Sequence, residues 1–103
     1  MEKKQTQTGN VTKVREKSHE PQEYLVILHN DDVTTMDFVV MVLKKFFRKS
    51  DREAVRIMLE VHLKGKGVAG KYSYDIARTK ADQTMRLARE QGFPLRLTVE
   101  PTS

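Results

Sequence analysis

The chain has 103 residues, of which 38% are hydrophobic and 32% are charged, and its formal net charge is +5. This length allows one small domain and excludes several, and the absence of cysteine excludes disulfides and thiolate zinc sites. No apolar run approaches the ~20 residues of a membrane span, and the start of the chain lacks the apolar stretch of a secretory signal, so we expect a cytoplasmic protein.

The positive charge is distributed along the chain and is not concentrated in one segment. The sequence has neither the aromatic-interleaved basic stripe of a single-strand binder nor a helix-turn-helix pattern. A solvated basic surface is the simplest interpretation, and attraction to an acidic partner surface is its main competitor. A small basic module that binds protein or nucleic acid therefore stays open as an alternative function.

The first part of the chain is poor in large apolar side chains, which are limited to Met1, Val11 and Val14. Such a segment cannot bury enough surface to offset the entropy lost on ordering. We predict a flexible N-terminal extension over residues 1–22 and one folded domain over residues 23–103.

The domain opens with an apolar, β-branched run from Tyr24 to Leu28, which predicts a buried strand. A polar turn, Asn30-Asp31-Asp32, follows it. Thr34 or Thr35 can then cap a first helix that extends to about Phe47. The predicted apolar face of this helix comprises Met36, Val39, Val40, Leu43, Phe46 and Phe47.

A second helix is predicted from Ser50, because Ser50 to Glu53 has the form of a capping box. Its apolar side is expected to carry Ala54, Val55, Met58, Leu59, Val61 and His62. Gly65 and Gly67 end this helix, and the segment from Gly65 to Tyr74 predicts an irregular strand.

A third helix is predicted from Tyr74 to about Glu90, with Ser73 as its N-cap. Its apolar side comprises Ile76, Ala77, Met85, Leu87 and Ala88. Leu95, Leu97 and Val99 alternate with polar residues and predict a final strand. The order β-α-α-β-α-β indicates an α+β fold, a small sandwich with three helices on one face of a three-stranded antiparallel sheet.

Several separated motifs agree in order and spacing with one known family. They are Asn30-Asp31-Asp32 with Thr34 and Met36, Val42 to Phe47, Met58 to His62, Gly65-Lys66, Gly70, and Ala77 to Lys80. Over residues 24–100 the chain resembles the ClpS family, the adaptors that deliver N-end-rule substrates to Clp ATP-dependent proteases.

The resemblance implies a non-enzymatic adaptor without a cofactor, one that modulates the substrate choice of the protease. It implies two partners: proteins or peptides with a free N-terminal Leu, Phe, Tyr or Trp, and the N-domain of a Clp unfoldase of the ClpA or ClpC type. Neither nucleic acid nor membrane is an implied partner.

The resemblance also assigns roles to individual positions. The implied α-amino-binding groups are Asn30, Asp31 and His62. The implied pocket rim comprises Asp32, Thr34 and Met36, with Met36 at the place of the family's gatekeeper. The implied side-chain pocket comprises Val39, Met58 and Leu95. The implied contacts with the unfoldase are Asp75 and Lys80.

Two positions depart from the family pattern. Thr35 occupies a place where the family usually has Pro, and Val33 occupies a variable or often aromatic place. Both positions belong to the turn before the first helix. We therefore expect the rim and the selectivity of the pocket to differ from those of the commonest members.

The chemistry of these residues agrees with such a pocket. An α-amino group has a pKa near ~8, so at neutral pH it is largely an ammonium group that needs hydrogen-bond acceptors. Asn30, Asp31 and a neutral His62 can each supply one. Met58 lies four residues before His62 on the same helical face, where it would meet the neighbouring side chain.

Other interpretations of these residues are simpler or chemically different. The Asn30-Asp31-Asp32 turn could only cap a helix, and His62 could be an ordinary core histidine. A carboxylate with His62 could serve acid–base catalysis, but no nucleophile motif accompanies them. A metal site from His29, Asp31, Asp32 and His62 lacks a specific spacing. We therefore predict no catalytic residue and no metal, and regard His29 as structural.

Overall fold

Six elements follow one another in the computed structural model, which describes residues 21–103. They are β1 (Tyr24–His29), α1 (Met36–Phe47), α2 (Asp51–Lys64), β2 (Lys66–Tyr72), α3 (Tyr74–Glu90) and β3 (Arg96–Pro101). The predicted α+β order β-α-α-β-α-β is confirmed. Most of the predicted N-terminal extension, residues 1–20, lies outside the described residues.

Strand β1 is the centre of the antiparallel sheet, whose strand order is β2-β1-β3. Val26, Ile27 and Leu28 are all buried, as the continuous apolar run predicts for a strand covered on both faces or nearly so. The register of β1 with β2 shifts between Val26 and Ile27. Because β1 ends at His29, the polar turn emerges from the rigid middle of the sheet.

Helix α1 packs mainly on α2, and it also contacts α3 and β2. Its buried residues are Phe38, Val39, Val42, Leu43 and Phe47. The predicted face therefore omitted Phe38 and Val42 and wrongly included Met36, which is exposed. The Phe38 ring packs 4.9 Å from that of Phe93, so a second helix face is covered as well.

Helix α2 begins as predicted, since the Ser50 hydroxyl accepts a hydrogen bond of 3.1 Å from the Glu53 amide. The Glu53 carboxylate pairs with Arg56 at 2.7 Å, where a capping box would have it return to Ser50. Helix α2 packs mainly on α1 and β2. Val55 and Leu59, on the predicted apolar side, consequently remain 41% and 43% exposed.

Helix α3 has the predicted bounds, although the Ser73 side chain makes no capping hydrogen bond. Its buried residues are mostly small: Ala77, Ala81, Thr84 and Ala88. Small side chains let the helix lie close to the sheet, and the buried Thr84 hydroxyl donates to the Lys80 carbonyl at 2.8 Å. Ile76, predicted to be apolar core, is exposed.

Candidate functional site

The turn between β1 and α1 is organised by one carboxylate. Oδ1 of Asp31 accepts hydrogen bonds from the amides of Val33 and Thr34 at 2.8 and 2.6 Å, and Oδ2 accepts one from the Thr34 hydroxyl at 2.7 Å. This is an Asx-type turn, in which a side chain replaces a backbone acceptor. Asp31 therefore stabilises the turn itself and does not cap α1, whose N-cap is Thr35.

Asp31 keeps both its charge and one acceptor position. Burial raises the pKa of this carboxyl, but the hydrogen bonds from Thr34 and Val33 and the charge of Arg89 outweigh burial, so the pKa lies below its usual range. A carboxylate has about four lone-pair positions. The three bonds within the turn leave one position on Oδ2 for another donor.

Arg89 supports this region from the end of α3. Its Nη1 donates to the carbonyl of Leu95 at 2.7 Å and to that of Phe93 at 3.1 Å. The same guanidinium group favours the ionised form of Asp31. Sequence reasoning missed this residue, because Arg89 resembles any solvated arginine in the last turn of a helix.

A second contact ties the turn to α2. The amide of Asn30 donates to the carbonyl of Gly65 at 2.9 Å. Gly65 adopts a left-handed conformation, with φ of 94°, and terminates α2 just after His62. The glycine therefore brings the end of α2 against the end of β1 and places Asn30 near His62.

A cavity of about 480 Å³ lies between the turn, α1 and α2, a size typical of ligand sites. The residues that line it are Asn30, Asp31, Asp32, Val33, Thr34, Thr35, Met36, Val39, Met58, Val61 and His62. One end of this cavity is polar, with Asn30, Asp31 and His62. The wall formed by α1 and α2 is apolar, with Met36, Val39 and Met58.

The cavity thus brings together eight of the nine residues implied for the amino group, the rim and the side-chain pocket, together with the two departures, Val33 and Thr35. Its lining differs from the expectation at two positions. Leu95 is 1% exposed and lies in the core, outside the residues that line the cavity. Val61, missed as a wall residue, is buried and lines it. The sequence signals for Val61 were its place on the predicted apolar side of α2 and its position three residues after Met58 on the same helical face.

His29 faces away from this cavity. Its Nε2 lies 2.8 Å from the Thr98 hydroxyl. Burial, with the charges of Arg96 and Lys66, lowers the pKa of His29 despite the opposing charge of Glu100, so the ring is neutral at pH 7. Within residues 21–103, no three side chains of the His, Cys, Asp and Glu types cluster in a way that could hold a metal ion.

The two residues implied in contact with an unfoldase lie on α3 in different settings. Asp75 is exposed in the first turn, between the exposed side chains of Tyr74 and Ile76. The ammonium of Lys80 donates to the carbonyl of Phe46 at 2.8 Å and lies 5.3 Å from the centroid of the Tyr72 ring. Lys80 is therefore half-buried, with its charge engaged inside the fold.

Thr35, the departure from the family's usual Pro, caps α1. Its hydroxyl accepts a hydrogen bond of 3.1 Å from the Phe38 amide, which Pro could not do. Its φ of −75° is one that Pro adopts without strain. Among the described residues, no acceptor is bound to the Thr35 amide.

We expect Thr35→Pro to change the free energy of unfolding by less than about 1 kcal/mol. Loss of a cap costs about 1 kcal/mol, and the stiffer unfolded chain offsets about 0.4–1 kcal/mol. Thr35→Ala, which loses the cap without that compensation, is the matched control. Urea unfolding of both variants measures this, and a Pro variant less stable than the Ala variant would contradict the prediction.

Within the described part of the chain, no helix has both the length and the apolar character needed to cross a membrane. The family model for the ATP-dependent Clp protease adaptor protein ClpS matches residues 19–98. The match therefore includes β1, β2, all three helices, the cavity and the first half of β3.

Individual relatives agree with the family model. The ATP-dependent Clp protease adapter protein ClpS of Lawsonia intracellularis is 54% identical over 87 residues, which cover 84% of this chain and 80% of the relative. The ClpS of Caulobacter vibrioides is 47% identical over 105 residues, with 96% of each chain covered.

A solved structure shares the fold. Agrobacterium tumefaciens ClpS2, bound to L-phenylalaninamide, superposes with a TM-score of 0.77 at 44% identity and covers 80% of this chain and 99% of its own. The motifs, the fold and these relatives all agree. This chain belongs to the ClpS family, the adaptor proteins of the ATP-dependent Clp protease.

Proposed function

We propose that this adaptor binds the N-terminal residue of proteins that begin with Leu, Phe, Tyr or Trp and delivers them to a Clp unfoldase. The observation that carries the proposal is one cavity that joins hydrogen-bond acceptors at one end to an apolar wall beside them. A free amino terminus with a large apolar first side chain has the same two parts. An internal segment of a polypeptide has no α-ammonium group.

The polar end of the cavity matches an α-ammonium group, which has three hydrogens to donate. Asn30 offers a carbonyl oxygen, His62 a ring nitrogen, and Asp31 its remaining lone pair. Each bond between an ionised donor and such acceptors contributes about 1.5–3 kcal/mol. An acetylated terminus lacks the charge and two of the three donors, so the cavity should reject it.

The apolar wall suits a large first side chain. Val39 is buried and fixed, whereas the flexible thioethers of Met36 and Met58 adapt to aliphatic or aromatic shapes. Burial of a Leu or Phe side chain supplies roughly 1.5–3 kcal/mol. The relative ClpS2 was solved with L-phenylalaninamide, which is a phenylalanine with a free amino group, and this supports the proposal.

The test is a calorimetric titration with peptides that differ only in residue one and in its amino group. Peptides that begin with Leu, Phe, Tyr or Trp should bind, whereas those that begin with Ser or Glu, and all acetylated versions, should bind at least about tenfold more weakly. Equal affinity for free and acetylated Phe peptides would overturn the proposal.

The gatekeeper position makes a separate prediction. The exposed Met36 side chain stands at the mouth of the cavity, where a β-branched guest is widest. We expect Met36→Ala to bind peptides that begin with Val or Ile about tenfold more tightly than the unchanged protein does. Fluorescence anisotropy measures this, and continued rejection of Val and Ile by the variant would place selectivity elsewhere.

We further propose that the N-domain of a ClpA- or ClpC-type unfoldase docks on the start of α3. Asp75 supplies the exposed charge there, and Tyr74 and Ile76 supply the exposed apolar area around it. Lys80 contributes its half-buried stem, since its ammonium is engaged with the carbonyl of Phe46. This surface is separate from the cavity, so one adaptor can hold substrate and unfoldase together.

Asp75→Arg tests this surface. Binding of the isolated N-domain, measured by calorimetry, should fall at least about tenfold, because a repulsive charge replaces an attractive one. Affinity for L-phenylalaninamide should stay unchanged. Glu90→Arg, at the opposite end of α3, makes the same change of charge and should bind the N-domain normally; equal behaviour of the two variants would overturn the docking proposal.

A further inference from the structure

A groove of about 750 Å³ runs along the outside of α1 and α2, next to the cavity. Met58 lines both, so the groove begins where the cavity ends. Its middle is formed by the exposed apolar side chains of Met41 and Val55. Lys44 and Lys45 line its far end, and Asp37, in the first turn of α1, lines the end nearer the cavity.

Val55 and Met41 present apolar side chains to the same groove. The sequence placed Val55 on the apolar side of α2, and the fold leaves it 41% exposed on the same groove as Met41, which is 38% exposed. Isolated apolar residues are normal on a surface. Two that face one groove, continuous with a ligand cavity, indicate an occupant that arrives with the ligand.

We infer that residues three to five of the bound substrate lie extended in this groove, with an apolar side chain at residue three and an acidic one at residue five. The inference rests on the proposed function, because residue one must first occupy the cavity. It extends recognition beyond the terminal residue to a short sequence.

The dimensions of the groove set this register. Met36 at the cavity mouth and Lys45 are nine positions apart on α1, or roughly 13 Å at ~1.5 Å per residue. An extended chain advances ~3.3 Å per residue, so residue five of the substrate reaches Lys45. On the same scale, residue three lies beside Met41 and Val55.

The charges at the far end favour an acidic guest. Lys44 forms an ion pair with Asp51, so its charge is partly compensated. Lys45 lies 5.7 Å from the centroid of the Phe46 ring, and no acidic side chain among residues 21–103 pairs with it. The ammonium of Lys45 is therefore the one available to a carboxylate of the substrate.

The test compares L-phenylalaninamide with the peptide Phe-Ser-Leu-Ser-Asp-Ser-amide by calorimetry. We expect Val55→Asp to weaken the peptide about tenfold and to leave L-phenylalaninamide within about twofold. Leu59→Asp is the matched control, since Leu59 is equally exposed on the same helix but does not line the groove. It should bind both ligands as the unchanged protein does.

A charge exchange tests the register. Lys45→Glu should weaken the Asp peptide about threefold, the scale of an exposed ion pair, and should improve binding of the same peptide with Lys at residue five. If Val55→Asp and Leu59→Asp change the affinity for the peptide equally, and both bind L-phenylalaninamide normally, the groove inference is overturned and the proposed function stands. Failure of L-phenylalaninamide and peptide to bind the unchanged protein would overturn both proposals.

Sedimentation tests whether a second copy of the chain, and not the substrate, occupies the groove. If Val55→Asp changes the sedimentation of the free protein while the peptide binds normally, the groove joins two copies of the chain and the inference is overturned. Retained L-phenylalaninamide binding shows in each variant that the domain is folded.

Discussion

His62→Ala is expected to weaken binding of peptides that begin with Phe or Leu by about 1–3 kcal/mol, or roughly fivefold to 150-fold. The imidazole lines the polar end of the cavity together with Asn30 and Asp31. Its loss leaves one hydrogen of the bound ammonium group without an acceptor. The same deletion should leave acetylated peptides, which bind weakly in any case, almost unaffected.

Two further variants distinguish the loss of a hydrogen-bond acceptor from the loss of side-chain volume. His62→Gln keeps an acceptor oxygen on the same helical face and should recover part of the lost affinity. Leu63→Ala changes the next residue, which is 74% exposed and does not line the cavity, and should bind normally. Anisotropy titrations with one fluorescent Phe peptide measure all three, and a His62→Ala variant with full affinity would remove His62 from the site.

Asp31→Ala is expected to lower both stability and affinity. It deletes the acceptor of three hydrogen bonds in the turn, and we expect it to cost about 1–2 kcal/mol of unfolding free energy at pH 6. Because the turn also positions Asn30 and Thr34 at the cavity, Phe peptides should bind at least about tenfold more weakly. Urea unfolding and calorimetry measure the two effects.

The stability effect of Asp31 should depend on pH in one direction. The pKa of this carboxyl is lower in the folded protein than its usual value of 3.8, so at acidic pH the unfolded chain binds more protons. The stabilisation is therefore complete above about pH 4 and is lost as the pH falls through the folded-state pKa. The stability difference between the unchanged protein and Asp31→Asn should shrink accordingly.

The neighbouring carboxylate is the control. Asp32 is exposed, and none of the three turn bonds involves it. Asp32→Asn should therefore leave the unfolding free energy unchanged at pH 6 and at pH 3. A stability difference for Asp31→Asn that does not vary with pH would show that its charge plays no part in the turn.

The elements of this fold could be predicted because local signals mark their ends. Ser50 caps α2, Gly65 ends it, and β1 is a continuous apolar run. The buried face of each helix was less predictable, because it depends on how many neighbours the helix has. Val55 and Leu59 carry the periodicity of core residues, but α2 has too few neighbours to cover them.

The site was predictable in its chemistry and less so in its detail. The resemblance named most of the residues that line the cavity, but it also named Leu95, which the fold encloses in the core. The setting of Lys80 could not be foreseen, since its acceptor is the carbonyl of Phe46, 34 residues earlier in the chain. Such a bond depends on the packing of α3 against α1, and no local pattern encodes it.

That same bond has a mechanical consequence. The ammonium of Lys80 clasps the last turn of α1, while the first turn of α1 carries Met36 at the cavity mouth. Helix α1 is thus held at its C-terminal end by α3, the helix on which the unfoldase is proposed to dock. We therefore expect a displacement of α3 at Lys80 to shift α1 and, with it, Met36 at the cavity.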